Sequence, residues 1–168
     1  MSSFAFSVPT WTPTAVADGA NFTDAGYCAV QGGTATQLNS IRQVYIGGLA
    51  TSSAPTIFLL ARDSVVGATL TALSSPNSLG LKNASAAAPT TTPIGFVAST
   101  TKPQRSATVT LPKVVLNFNP FGGICKWFPP DSQAFDILGN TASLGEASLS
   151  AFTGTVGLVG STIEFETA

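Results

Sequence analysis

Chemistry in this chain would have to come from eight carboxylates, because the sequence contains no histidine. The acids are Asp18, Asp24, Asp63, Asp131, Asp136, Glu146, Glu164 and Glu166. Two carboxyl groups facing each other across a cleft could cleave a glycosidic bond. Glu164 and Glu166 are the pair that spacing brings together, since residues i and i+2 share one face of a strand. They lie in TIEFET (Thr162 to Thr167), an amphipathic strand pattern, and read as its solvated face. Without histidine, Ser-His-Asp and Cys-His catalysis, histidine proton shuttles and histidine-ligated metals are excluded. Cys28 and Cys125 are the only cysteines and no CxxC spacing occurs, which removes zinc and iron–sulfur sites. DGANFTD (Asp18 to Asp24) lacks the ligand spacing and terminal Glu of a calcium loop. QGG (Gln31 to Gly33) and FGG (Phe121 to Gly123) are short Gly pairs that mark turns rather than phosphate loops. No catalytic, cofactor-binding or metal-binding residue is assigned, and the chain is expected not to be an enzyme.

The elements that would position these residues are strands. Sixteen Gly and eleven Pro are spread throughout, and no ten-residue stretch joins helix formers to a 3.6-residue apolar stripe. Alternation and β-branched or aromatic content predict strands at FAFSV (Phe4 to Val8), GYCAVQ (Gly26 to Gln31), SIRQVYIGG (Ser40 to Gly48) and TIFLLARD (Thr56 to Asp63). ATLTAL (Ala68 to Leu73), IGFVAST (Ile94 to Thr100), SATVTLP (Ser106 to Pro112) and VVLNFN (Val114 to Asn119) follow. The last four are GICKWF (Gly123 to Phe128), FDIL (Phe135 to Leu138), ASLSAF (Ala147 to Phe152) and TIEFET. TIFLLA is apolar throughout, as suits a strand covered on both faces. In GICKWF, alternation sends Trp127 to the core and Phe128 outward. Short strands separated by Gly and Pro turns predict an all-β fold, a β-sandwich of jelly-roll type. Residues 1–25 are expected to form an N-terminal arm or extended segment, and 26–168 a single sandwich domain. Within that domain, SSPNSLGLKNASAAAPTTTP (residues 74–93) predicts a long small-residue loop.

Charge is the most informative part of the composition. Asp, Glu, Lys and Arg make up 9% of the chain and its net charge is -1; soluble domains average about 25% charged. A surface of hydroxyls, amides and small side chains suits packed assembly, because no charge has to be desolvated at a contact. Arg42, Arg62, Lys82, Lys102, Arg105, Lys113 and Lys126 are scattered, so no nucleic-acid partner is expected. No apolar run reaches the ~18 residues that span a bilayer, and MSSFAFSVPTWTP lacks the basic start of a secretory signal, so no membrane partner is expected either. Cys28 and Cys125 read as small core hydrophobes, although one bridge between them is compatible with the sequence. Arg62-Asp63 closes the most apolar strand, as an ion pair, a turn bond or an intersubunit contact. Trp11 either anchors the arm on a neighbour or folds back on its own sandwich.

Several segments resemble small virion structural proteins of tailed bacteriophages, of the capsid decoration or cement type. They are AVQGGTATQ (Ala29 to Gln37), ARDSVVGAT (Ala61 to Thr69), STTKPQRSA (Ser99 to Ala107), NFNPFGGI (Asn117 to Ile124) and ILGNTASLGEASLSAFTG (Ile137 to Gly154). The resemblance implies a β-sandwich that oligomerises, commonly as a homotrimer, on the capsid surface of the virion. It would be made in the host cytoplasm and would staple neighbouring copies of the major capsid protein. No cofactor comes with it. Phe4, Phe6, Trp11, Arg62, Asp63, Arg105 and Phe121 are the residues expected to make contacts. An alternative is a phage tail or fibre adhesin for host glycans, with Trp11 or Tyr45 stacked on sugars. A glycan-cleaving enzyme would need paired acids in a cleft.

Overall fold

Period-2 alternation is realised across two antiparallel sheets. The computed structural model describes residues 2–22, 26–31, 36–64, 69–72, 80–81, 94–101, 103–107, 113–130, 135–138, 145–154 and 157–167. Its strands are β1 (Ser2–Trp11), β2 (Tyr27–Gln31), β3 (Leu38–Gly48), β4 (Thr56–Ser64), β5 (Thr69–Ala72), β6 (Gly80–Leu81), β7 (Ile94–Thr101), β8 (Gln104–Arg105), β9 (Val114–Phe118), β10 (Ile124–Trp127), β11 (Phe135–Leu138), β12 (Glu146–Gly154) and β13 (Val159–Thr167). Sheet A runs β10-β3-β13-β1-β6, with β11 also on β3. Sheet B runs β5-β7-β2-β12-β4-β8, with β9 also on β4. This is the all-β sandwich that the alternation predicts. Among the described residues no helix is long and apolar enough to cross a membrane.

The core lies between the sheets. Sheet A contributes Phe4, Phe6 and Val8, Ile41, Val44 and Ile46, and Val159, Ile163 and Phe165. Sheet B contributes Cys28 and Val30, Phe58 and Leu60, Ala147 and Leu149, and Leu116 and Phe118. TIEFET behaves as its pattern requires, with Ile163 and Phe165 buried and Glu164 and Glu166 half-buried on the other face. In β4, Phe58 and Leu60 face the core while Leu59 and Ala61 are buried on the opposite face. That double burial explains why TIFLLA carries no alternation.

The strand expected at Phe4 to Val8 is the middle of a longer one. Residues 2–11 form β1, paired with β13 from Ser2↔Thr167 to Trp11↔Val159 and with β6 through Phe4↔Leu81 and Ala5↔Gly80. The cause is the alternation of Phe4, Phe6 and Val8, which buries one face of the strand. Beyond Trp11, residues 12–22 cross the outer face of sheet B. Val16 and Phe22 pack there on Tyr27 and Ala29, which point away from the core residues Cys28 and Val30. Backbone bonds fix this strap: Val16 N–H to the Ala151 carbonyl (3.0 Å), Gly19 N–H to Arg105 (3.0 Å), Arg105 N–H to Ala20 (3.1 Å) and Phe22 N–H to Pro103 (3.0 Å).

Two expectations shift in detail. Of the strand expected over SATVTLP, residues 108–112 lie outside the described residues, and β8 precedes it at Gln104–Arg105. Within the expected loop 74–93, Gly80–Leu81 pairs with β1; the rest of it lies outside the described residues. Cys28 and Cys125 are both free thiols.

Candidate functional site

Of the expected contact residues, most serve the interior. Phe4, Phe6 and Trp11 are at most 3% exposed, and Asp63 and Arg105 are fully buried. Phe4 stacks on Phe165 with ring centroids 5.6 Å apart. Trp11 folds back on its own sandwich: its indole N–H donates to Ser161 Oγ at 2.9 Å and its ring meets Phe58 edge-on at 6.1 Å. In this chain the aromatics of the first strand pack into its core, and of the two readings of Trp11 the structure has the folded-back one. Arg62 and Asp63 do not pair, because successive strand residues face opposite ways. Arg62 turns to the core side, its guanidinium 4.2 Å from the Phe135 ring centroid and its Nε donating to the Asp136 carbonyl at 2.6 Å. Phe121 alone among the seven stands well out from the surface, 56% exposed.

Asp63 instead joins a buried polar row on the outer face of sheet B. Arg105 lies directly opposite it on β8, and Glu146 directly opposite on β12. Arg105 Nη2 donates to Ser150 Oγ (2.6 Å) and to the Ala151 carbonyl (2.9 Å). Its backbone holds the strap at Gly19 and Ala20, so one residue ties β4, β12 and residues 12–22 together. Burial pushes the Asp63 carboxyl up to about 7, against the pull of Ser148, Glu146 and Arg105. Burial and then the charge of Asp63 hold Glu146 well above the ordinary carboxyl range. Both acids of the row therefore hold their protons to higher pH than exposed carboxyls do, and Arg105 is the charge that faces Asp63. Its two acids are completely buried, unlike the open cleft that glycoside hydrolysis requires. The acids singled out from sequence are not the pair that the fold assembles: Glu166 bonds Arg42 Nε at 2.9 Å instead.

The outer face of sheet A has a different character. An open groove of about 510 Å³ crosses it, lined by Ser7, Tyr45, Gly47, Leu49, Ile124, Thr162 and neighbouring residues, none of them acidic or basic. Lys126 Nζ lies 4.9 Å from the Tyr45 ring centroid, so one face of that ring is occupied. Trp11 is buried, whereas Tyr45 is half-buried and lines the groove. Of its lining residues Leu49 and Ile124 are exposed, Ile124 to 84%, and Phe121, Phe128 and Leu158 are exposed as well. Val115 and Phe152 are exposed on sheet B. Alternation in GICKWF marks Ile124 and Phe128 as outward together once Trp127 faces in, so this strip was within reach of sequence reasoning. Among the described residues, no group of three or more Cys, Asp or Glu could hold a metal ion.

No family model, curated protein or solved structure matches this chain.

Proposed function

We propose that this chain is an assembly protein, a decoration or cement protein of a tailed-bacteriophage capsid that binds the outer surface and staples adjacent major capsid proteins. The observation that carries the reading is the exposure of large apolar side chains on both outer faces of a charge-poor sandwich. Leu49, Phe121, Ile124, Phe128 and Leu158 lie on or beside sheet A, and Val115 and Phe152 on sheet B. Apolar surface of this kind marks sites of protein contact. With 15 charged residues in 168, there is little rim charge to keep such patches apart in solution. The resemblance of the segments from Ala29 to Gly154 to phage virion proteins supplies the setting.

The mechanism would be energetic and passive: many copies, each burying apolar surface across a seam, add up against internal pressure. Purified protein mixed with capsids that lack it should bind and raise the temperature at which they rupture. A protein that neither binds nor shifts that temperature rules the reading out.

A further inference from the structure

The outer face of sheet A carries a knob beside a slot. Glycine weakens the interior of a strand and is ordinarily explained by a bulge or by a close approach of another backbone. Among the described residues, Gly47 in β3 has no such explanation. Its φ is not positive, and a Cβ built on it would meet nothing within 4 Å. The adjacent glycines differ: at Gly48 and Gly160 a Cβ would strike the carbonyl oxygens of Pro120 and Pro9 at 2.1 and 2.6 Å. The missing side chain at 47 leaves an opening in the groove floor between Tyr45 and Leu49, which share its face. Directly opposite Gly47, on the edge strand β10, is Ile124, 84% exposed. Cross-strand partners of this kind stand ~5 Å apart at Cβ.

We propose that two copies of this chain dock face to face through β10 and β3, Ile124 of each filling the Gly47 slot of the other. A knob and a slot side by side on one patch are self-complementary under a two-fold axis. That axis lies in the interface, parallel to the strands and midway between β10 and β3. It also brings Lys126 of one copy over Tyr45 of the other, since the two are cross-strand partners in the next row. Because β10 is the edge of its sheet, this Lys126 reaches past β3 toward β13 of the second copy, where Glu164 stands one row further along the same face. Opposite charges thus meet at the rim, while the uncharged groove forms the centre. The contact is distinct from the trimer that the resemblance implies, and it needs no capsid.

Sedimentation equilibrium of the purified chain tests it. A dimer is expected, and Gly47→Val and Ile124→Ser should each weaken it at least ~tenfold without lowering the melting temperature of the chain at dilution. Lys126→Glu should weaken it too, and Lys126→Glu combined with Glu164→Lys should restore it. A monomer at every concentration, or an oligomer that survives both Gly47→Val and Ile124→Ser, overturns the proposal. Either result leaves the capsid-binding measurement to stand or fall separately.

Discussion

Asp63 and Glu146 face each other directly across β4 and β12, both completely buried, with Arg105 on the far side of Asp63. Two acids and one guanidinium sharing an interior can hold one negative charge against one positive charge, so the second acid keeps its proton. The chain contains no histidine. Its response to pH near neutrality therefore falls largely to this pair.

The sign of that response follows from which state holds the proton. An unfolded Asp or Glu releases its proton near pH 4. In the folded chain burial raises both acids, Asp63 to about 7 and Glu146 well above the ordinary carboxyl range. Between these limits the folded state binds more protons than the unfolded state, so stability falls as pH rises. The stability is fully present below about pH 4 and declines through pH 5 to 8, by up to ~1.4 kcal/mol per pH unit for each proton involved. Urea unfolding at pH 5, 6, 7 and 8 measures the slope. Glu146→Gln should flatten it and raise stability at pH 8; an unchanged slope in that variant would assign the titration elsewhere.

Arg105 should be far less tolerant of change than Glu146. Removing it strips Asp63 of its counter-charge in the interior and frees the hydrogen bonds to Ser150 and Ala151. Each buried partner left without its hydrogen bond costs roughly 1–3 kcal/mol, and Asp63 loses the charge that faces it. Arg105→Met should lose about that much at pH 7, and less at pH 5, where Asp63 can take up a proton. Arg105→Met combined with Asp63→Asn should recover part of the loss. Equilibrium unfolding of the three variants checks the coupling.

The layers of the fold were legible in the sequence, and the destinations of its polar residues were not. Alternation in TIEFET and VVLNFN fixes which side chains face inward because the strand period is two, whereas in SIRQVYIGG Ile41 and Val44 both face inward because a register shift interrupts the strand between them. Phe4, Phe6 and Val8 carry the same signal, and the strand they predict pairs with β13. Glu146 continues the alternation of Ser148 and Ser150, which indicates its face but not its partner. Its meeting with Asp63 depends on β4 and β12 being neighbours, and strand order is a long-range fact that no local pattern records. Gly47 was likewise read only as part of a strand, since an unfilled slot is visible only once its surroundings are placed.

Trp11 should behave as a core residue by its fluorescence and by its energetics. Its ring is 3% exposed and its indole N–H is bonded to Ser161 Oγ. Trp127 is only half-buried against the core. In Trp127→Phe, the remaining emission should be blue-shifted and resistant to iodide quenching. Trp11→Ala should cost roughly 3–5 kcal/mol as a large buried side chain. Ser161→Ala, which leaves the indole N–H unpaired, should cost about 1–3 kcal/mol. Emission typical of a solvent-exposed indole in Trp127→Phe would contradict the placement of Trp11 between the sheets.

The two thiols should differ in reactivity by burial rather than by pairing. Only thiolates react with disulfide reagents, so a raised pKa protects a cysteine as surely as steric cover does. Cys28 lies in the core, and burial pushes its thiol up to about 12 despite a bond to Ser161. Cys125 is half-buried on β10, and its thiol is raised by burial as well. A chromogenic disulfide reagent at pH 7 should label Cys125 slowly and faster at pH 9. Cys28 should react only as the chain unfolds, so that its rate follows urea concentration through the unfolding transition. In Cys125→Ser, fast labelling of the folded chain would show that Cys28 is not enclosed between the sheets.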